Sequence, residues 1–213
     1  MKGLLIKDIL IMRNQKSTSL LIVLMGVMMS IYMQSSAVIG YLMMIGGMLS
    51  LSTISYDEHE NGLRYLFSLP VTRKEYVKEK YLFCIAWVII CMICGSLVCY
   101  LIMVFKKQVD TTELFATALT MFCVILVILA VSIYARIRYG SEKSRIIIYI
   151  FFGGISLIGF VLSKFISAEE VMAIERFVST NAVTLMVILP IAAAIIYLIS
   201  YLVSARYMEK KEF

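Results

Sequence analysis

Charge is what this chain has least of. Of its 213 residues only 16% are Asp, Glu, Lys or Arg, one is histidine and two are proline. Meanwhile 62% are hydrophobic and the mean hydropathy is +0.93. A soluble domain carries about 25% charged residues and cannot hide this much apolar surface, because more than half of any folded surface stays accessible. The scarcity of proline, with only 11 glycines, excludes disordered and collagen-like chains. Short alternating segments of the β-barrel type are missing as well. What remains is a polytopic, all-α membrane protein.

Chemistry is equally sparse. No Asp, Glu, Lys, Arg or His occurs between residues 17 and 56, and the other long apolar runs are as clean. Proton- and ion-coupled transporters usually carry such groups near the bilayer midplane, so their absence counts against that class. The lone His59 lies outside the apolar runs, and no H-E-x-x-H or paired carboxylates stand within one. The pairs Gly46-Gly47 and Gly153-Gly154 lack the lysine of a phosphate-binding loop. Cys91 and Cys94 form a C-x-x-C with apolar flanks and no second pair, which reads as packing rather than metal or redox chemistry. No catalytic residue, metal or cofactor is therefore expected in the chain. The net charge of +6 comes from basic residues at the ends of apolar runs, which points to topology control rather than nucleic acid.

Six runs are long enough to cross a bilayer: 17–34, 37–56, 81–105, 114–135, 146–163 and 182–205. Sixteen of the 20 Lys and Arg residues fall on one side of this arrangement and four on the other, which predicts both termini in the cytoplasm of a cell-membrane protein. Residues 1–16 read as an interfacial helix with Leu5, Ile9 and Met12 on one face and Lys2, Lys7, Asp8 and Arg13 along its sides. Residues 17–213 form the six-span domain. Small residues four apart, such as Gly46 and Ser50, permit close helix approach. Fifteen methionines, six of them within 28–48, suit an adaptable apolar path or plain lipid-facing filling.

The connection 57–80 carries the most information. Asp57, Glu58 and Glu60 suit a helix N-terminus through its dipole, Leu63, Leu66 and Phe67 share a face, and Pro70 ends that helix. Thr72 and Glu75 then form a capping box that opens a second helix leading into the third span. Three readings fit this connection: a metal site around Asp57, His59 and Glu60, a solvated loop, or a short docking helix for a partner's groove.

Its acidic start, Glu60-Asn61-Gly62, Leu66-x-Ser68-Leu69-Pro70-Val71-Thr72-Arg73 and Lys80 resemble the first cytoplasmic loop of type-2 ATP-binding-cassette exporter permeases. The resemblance is greatest to the small six-span permeases of peptide, lantibiotic and phenol-soluble-modulin exporters. That family usually has Gly-Thr where this chain has Gly62-Leu63. The resemblance implies a coupling helix seated on a separate ATPase subunit, through Asp57, Glu58, Glu60, Gly62, Leu63, Leu66, Phe67, Leu69 and Pro70. It also implies that ATP and Mg are held by that partner and that a second permease copy, identical or a close paralogue, completes the pathway within membrane lipid. Arg138, Gly140 and Ser141, in the basic connection 136–145, serve either as positive-inside anchors or as a second ATPase contact. On the far side, 167–179 reads as a short helix whose Glu170, Val171 and Ile174 gate the exit or rest on the membrane. The resulting expectation is an exporter permease for amphipathic peptides or other hydrophobic cargo. Its rivals are an ion-coupled or passive transporter without ATPase, and a membrane assembly protein that transports nothing.

Overall fold

Apolar runs uninterrupted by charge fold into helices because a helix satisfies every backbone group within its own segment. In a computed structural model, residues 2–14, 37–58, 62–68, 71–105, 111–165 and 180–210 are described, with single positions at 24, 25, 28, 170, 173 and 176. Six helices cover these segments: α1 Lys2–Asn14, α2 Ala37–Glu58, α3 Gly62–Ser68, α4 Arg73–Phe105, α5 Thr111–Phe165 and α6 Ala182–Lys210. Four of them, α2, α4, α5 and α6, are long and apolar enough to cross a membrane. Apart from those single positions, the expected first span at 17–34 and the expected outer helix at 167–179 lie outside the described residues.

Helix α5 contains two of the expected spans, 114–135 and 146–163. They are continuous in sequence with the intervening basic connection and separate only at Gly140, where φ is 81° and ψ is 168°. That backbone conformation is essentially reserved for glycine. One residue therefore turns a 55-residue helical stretch into two arms, 111–139 and 141–165.

Helices α2 and α4 pack closely at two glycines. A Cβ on Gly46 would sit 2.3 Å from Cys91 Sγ, and one on Gly95 would sit 3.3 Å from Ile39 Cα. The two glycines, one on each helix, let the axes approach, and the Cys91 of the C-x-x-C is the side chain that fills the notch. Buried Ser50 and Thr53 turn their hydroxyls back onto the carbonyls of Gly47 (2.7 Å) and Ser50 (2.9 Å), which satisfies them inside an apolar pair. The first arm of α5 packs over this pair, with Leu129 and Ile133 fully enclosed. Helix α6 then lies across α4 and α5. Tyr81 joins them: its hydroxyl bonds Ser200 (2.7 Å) and Ser204 (2.8 Å), while Tyr197 donates to the Tyr81 carbonyl at 2.7 Å. The second arm of α5 stands apart, exposed along 149–161.

Helix α1 corrects the amphipathic reading. Its inward stripe is Leu4, Asp8 and Met12, each buried, whereas Ile6, Ile9 and Leu10 are exposed. An acidic residue, not the Leu5–Ile9 face, is what the helix turns inward.

Candidate functional site

At one end of the bundle, α1, the last turn of α2, and the first turns of α4 converge on a buried set of ionic groups. Helix α2 continues through Glu58, so Asp57 and Glu58 sit at a helix C-terminus rather than at the expected N-terminus. A carboxylate is disfavoured there by the dipole, and needs cations from elsewhere in the chain. Lys80 supplies one. Its Nζ is fully buried, 2.5 Å from Asp8, 2.8 Å from Asp57, and donates to Thr53 Oγ1 at 3.3 Å. Lys7 pairs with Asp57 and reaches Asp8 at 3.4 Å. The Tyr76 hydroxyl donates to Asp57 at 3.3 Å, and Lys80 lies 5.5 Å from the centre of the Tyr76 ring.

Burial opposes the Lys80 charge, but Asp57 and Asp8 outweigh it and hold its pKa above the ordinary lysine value. Glu79, also fully buried, is the odd member. Its two oxygens have no donor, and its side chain faces Asp8, itself a carboxylate. Burial, reinforced by Asp8, pushes the Glu79 carboxyl up to about 7 against the pull of Lys80. A proton on Glu79 balances the three acids against two lysines and gives the Glu79–Asp8 contact the donor it otherwise lacks.

Around this cluster the described residues of the connection 57–80 fold onto the chain itself. The Thr72–Glu75 capping box forms as expected: Thr72 N donates to Glu75 Oε2 at 3.2 Å, and Glu75 N donates to Thr72 Oγ1 at 3.3 Å. Gly62 lies so close to α2 that a Cβ would come within 2.7 Å of the Asp57 carbonyl oxygen. Leu63 and Leu66 of α3 are buried, and Phe67 packs edge-on against Tyr76, with 5.8 Å between ring centres. The apolar face expected to meet a partner's groove is thus turned onto α2 and α4, and Tyr65, 74% exposed, points outward. Glu60, Leu69 and Pro70 lie outside the described residues. Arg73 closes the other flank by donating to the Glu209 carbonyl at 3.0 Å, beside a Lys74–Glu209 ion pair of 2.8 Å at the end of α6.

Glu58 has a different role from Asp57. It accepts the Ser141 N–H at 2.5 Å and so caps the second arm of α5 where Gly140 breaks the helix. The structure thereby brings Glu58, Gly140 and Ser141 together across 83 positions of sequence. Arg138 stays exposed, with the rings of Tyr139, Tyr134 and Tyr207 centred 5.1 to 5.9 Å away. Glu170 is exposed, and Val171 and Ile174 lie outside the described residues. Among the described residues no three His, Cys, Asp or Glu side chains converge into a metal site.

Lys7, Asp8, Glu79 and Lys80 are the members that sequence reasoning did not single out as a site. Their signal was position, with Lys80 also part of the loop that resembles the permease family: Asp8 interrupts an apolar helix, and Glu79-Lys80 are the last charges before a 25-residue apolar run.

Long charge-free helices over a buried ionic platform define a multi-pass membrane protein. The family described as ABC-2 family transporter protein matches residues 3–209, nearly the whole length. The chain belongs to that family, whose members are the membrane components of ATP-binding-cassette transporters. No curated protein and no solved structure matches it.

Proposed function

We propose that this chain is the permease subunit of an ATP-driven exporter, with ATP and Mg bound and hydrolysed by a separate ATPase subunit. Two permease copies, each with six spans and both termini in the cytoplasm, enclose the pathway between them. The observation that carries the reading is the mechanical tie between α3 and the spans. Buried Leu63 and Leu66, the Gly62–Asp57 approach and the Phe67–Tyr76 contact bind α3 to the ends of α2 and α4. A load on the exposed edge of α3 reaches both spans through the ionic cluster. The ATPase engages that edge, with Tyr65 at its centre, rather than the apolar face. Closure of the ATPase dimer then moves α3 and shifts the spans as bodies. The capped break at Glu58, Gly140 and Ser141 offers a second lever, since it joins the same end of α2 to the second arm of α5. Charge-free spans suit amphipathic peptides or other hydrophobic cargo, and an outer helix holding Glu170, Val171 and Ile174 serves as exit gate.

The test is co-expression with a Walker-type ATPase encoded by a neighbouring reading frame, followed by reconstitution in sealed vesicles. ATP-dependent accumulation of an amphipathic peptide is the expected result. Tyr65→Glu weakens ATPase co-purification by about tenfold or more, as loss of an aromatic interface anchor does. Leu66→Glu, by contrast, disturbs the fold of the chain itself. Accumulation in vesicles holding this chain alone, without nucleotide, refutes the proposal.

A further inference from the structure

Between α2 and the two arms of α5 lies a cavity of about 270 Å³ that the ionic cluster does not touch. Met48 and Leu51 of α2, Ile128 and Leu129 of the first arm, and Ile148 and Phe152 of the second give it apolar walls. Its lining on the first arm runs from Ile125 to Arg136, roughly 16 Å along a helix axis. The cavity is therefore an elongated slot rather than a round hole.

Two arginines, Arg136 and Arg145, close one end, and no carboxylate lines the slot. Arg136 donates to the Leu51 carbonyl at 2.9 Å and to Ser55 Oγ at 2.5 Å, which fixes its guanidinium at the mouth. Its Nε is buried without a hydrogen-bond partner. Burial and then the Arg145 charge push the Arg136 guanidinium down, against a smaller opposing pull from Glu58. Two like charges facing an apolar slot with an orphaned donor are complementary to an anion carrying an apolar chain.

The level of the arginines agrees with that chemistry. They stand at the boundary between the apolar runs 114–135 and 146–163 and the polar connection, where lipid headgroups lie. Lateral access exists too: Tyr149 is 73% exposed, and beyond Phe152 a Cβ on Gly153, Gly154 or Gly159 would meet nothing within 4 Å. The second arm therefore leaves the slot open toward the bilayer.

We infer that this slot binds an anionic membrane lipid, with one acyl chain between α2 and the α5 arms and the acidic headgroup on Arg136 and Arg145. A zwitterionic headgroup brings its own cation to the arginines and forfeits the attraction. The inference stands independently of the export reading, since it needs neither ATPase nor cargo.

The experiment uses the full chain purified in an uncharged detergent, titrated with phosphatidylglycerol or phosphatidylcholine of identical chains and read by native mass spectrometry. Phosphatidylglycerol is retained about tenfold or more over phosphatidylcholine, the size of one charge-assisted hydrogen bond. Arg136→Gln with Arg145→Gln brings the two lipids level. The exposed Arg145→Gln alone narrows the gap, and guards against misfolding of the double variant. Ile148→Trp fills the slot and lowers retention of both lipids. Inorganic phosphate at millimolar concentration leaves lipid retention unchanged. Undiminished discrimination in the arginine variants overturns the inference. So does displacement of the lipid by phosphate, which would mark a free-anion site. A change of oligomeric state with Ile148→Trp at constant lipid retention would assign the slot to a second copy of the chain.

Discussion

Replacing Lys80 by methionine removes the central cation of the buried cluster while keeping most of the length of the side chain. Asp8 and Asp57 are then left 0% and 7% exposed, with Lys7 as the cation beside them and the Tyr76 hydroxyl still donating to Asp57. Removing one partner of a buried ion pair typically costs about 3–5 kcal/mol, because the remaining charge stays desolvated. Lys7 already pairs with Asp57 and lies 3.4 Å from Asp8, so the loss should fall near the low end, about 3 kcal/mol. Asp8→Asn alone is milder, since Lys80 keeps Asp57 at 2.8 Å. The double variant Lys80→Met with Asp8→Asn should be more stable than Lys80→Met, because it no longer buries an unanswered Asp8 charge. The chain has one tryptophan, Trp87, stacked on Phe83 with ring centres 6.2 Å apart, about two helical turns above Lys80. Its fluorescence during detergent-induced unfolding reads all three variants, and release of α1 is read separately as faster tryptic cleavage at Lys7. A Lys80→Met variant within about 1 kcal/mol of the parent, or strict additivity of the two changes, would show that the cluster holds nothing together.

The remaining predictions concern the proton, the glycines and the helix break. Glu79 has a pKa near 7 in the folded chain against 4.5 for a free carboxyl, so folding favours its protonated form. That contribution is fully present below pH 4.5 and is lost as pH rises to 7, at a cost of about 3 kcal/mol above it. Glu79→Gln should therefore raise stability at pH 8 and flatten the pH profile of unfolding between those values; an unchanged profile assigns the titration elsewhere. Gly46→Ala drives a methyl onto Cys91 Sγ and should cost about 1–3 kcal/mol, part of which Cys91→Ala returns in the same unfolding assay. Gly140→Ala meets no atom closer than Glu58 Oε2 at 3.7 Å, so its cost of about 1–3 kcal/mol is conformational and should persist in a Glu58→Ala background.

The all-helical membrane class and the approximate limits of the long apolar helices α2, α4 and α6 were legible in the sequence, because each depends on the composition of one contiguous segment. Local chemistry was legible for the same reason. The Thr72–Glu75 box needs residues only three apart, and it forms as expected. Gly62 and Gly46 could be noticed, though only their neighbours Asp57 and Cys91 explain them. The inward face of α1 could not be read, because helical periodicity weighs apolar side chains and assigns Asp8 to the outside. Its burial is decided by Lys80, 72 positions away. The same holds for α3, whose Leu63 and Leu66 make an amphipathic face that suits a partner's groove or the chain's own core equally well. Hydropathy states that such a face must be covered. Only the tertiary structure, by placing the ends of α2 and α4 beneath it, decides by what. Gly140 marks the same boundary: glycine permits the break in α5, and the Glu58 carboxylate arriving from α2 determines that the helix resumes at Ser141. Long-range charge pairing leaves no periodic trace in a sequence, since its energy depends on distance in space and on exclusion of water, both of which exist only once the helices have packed.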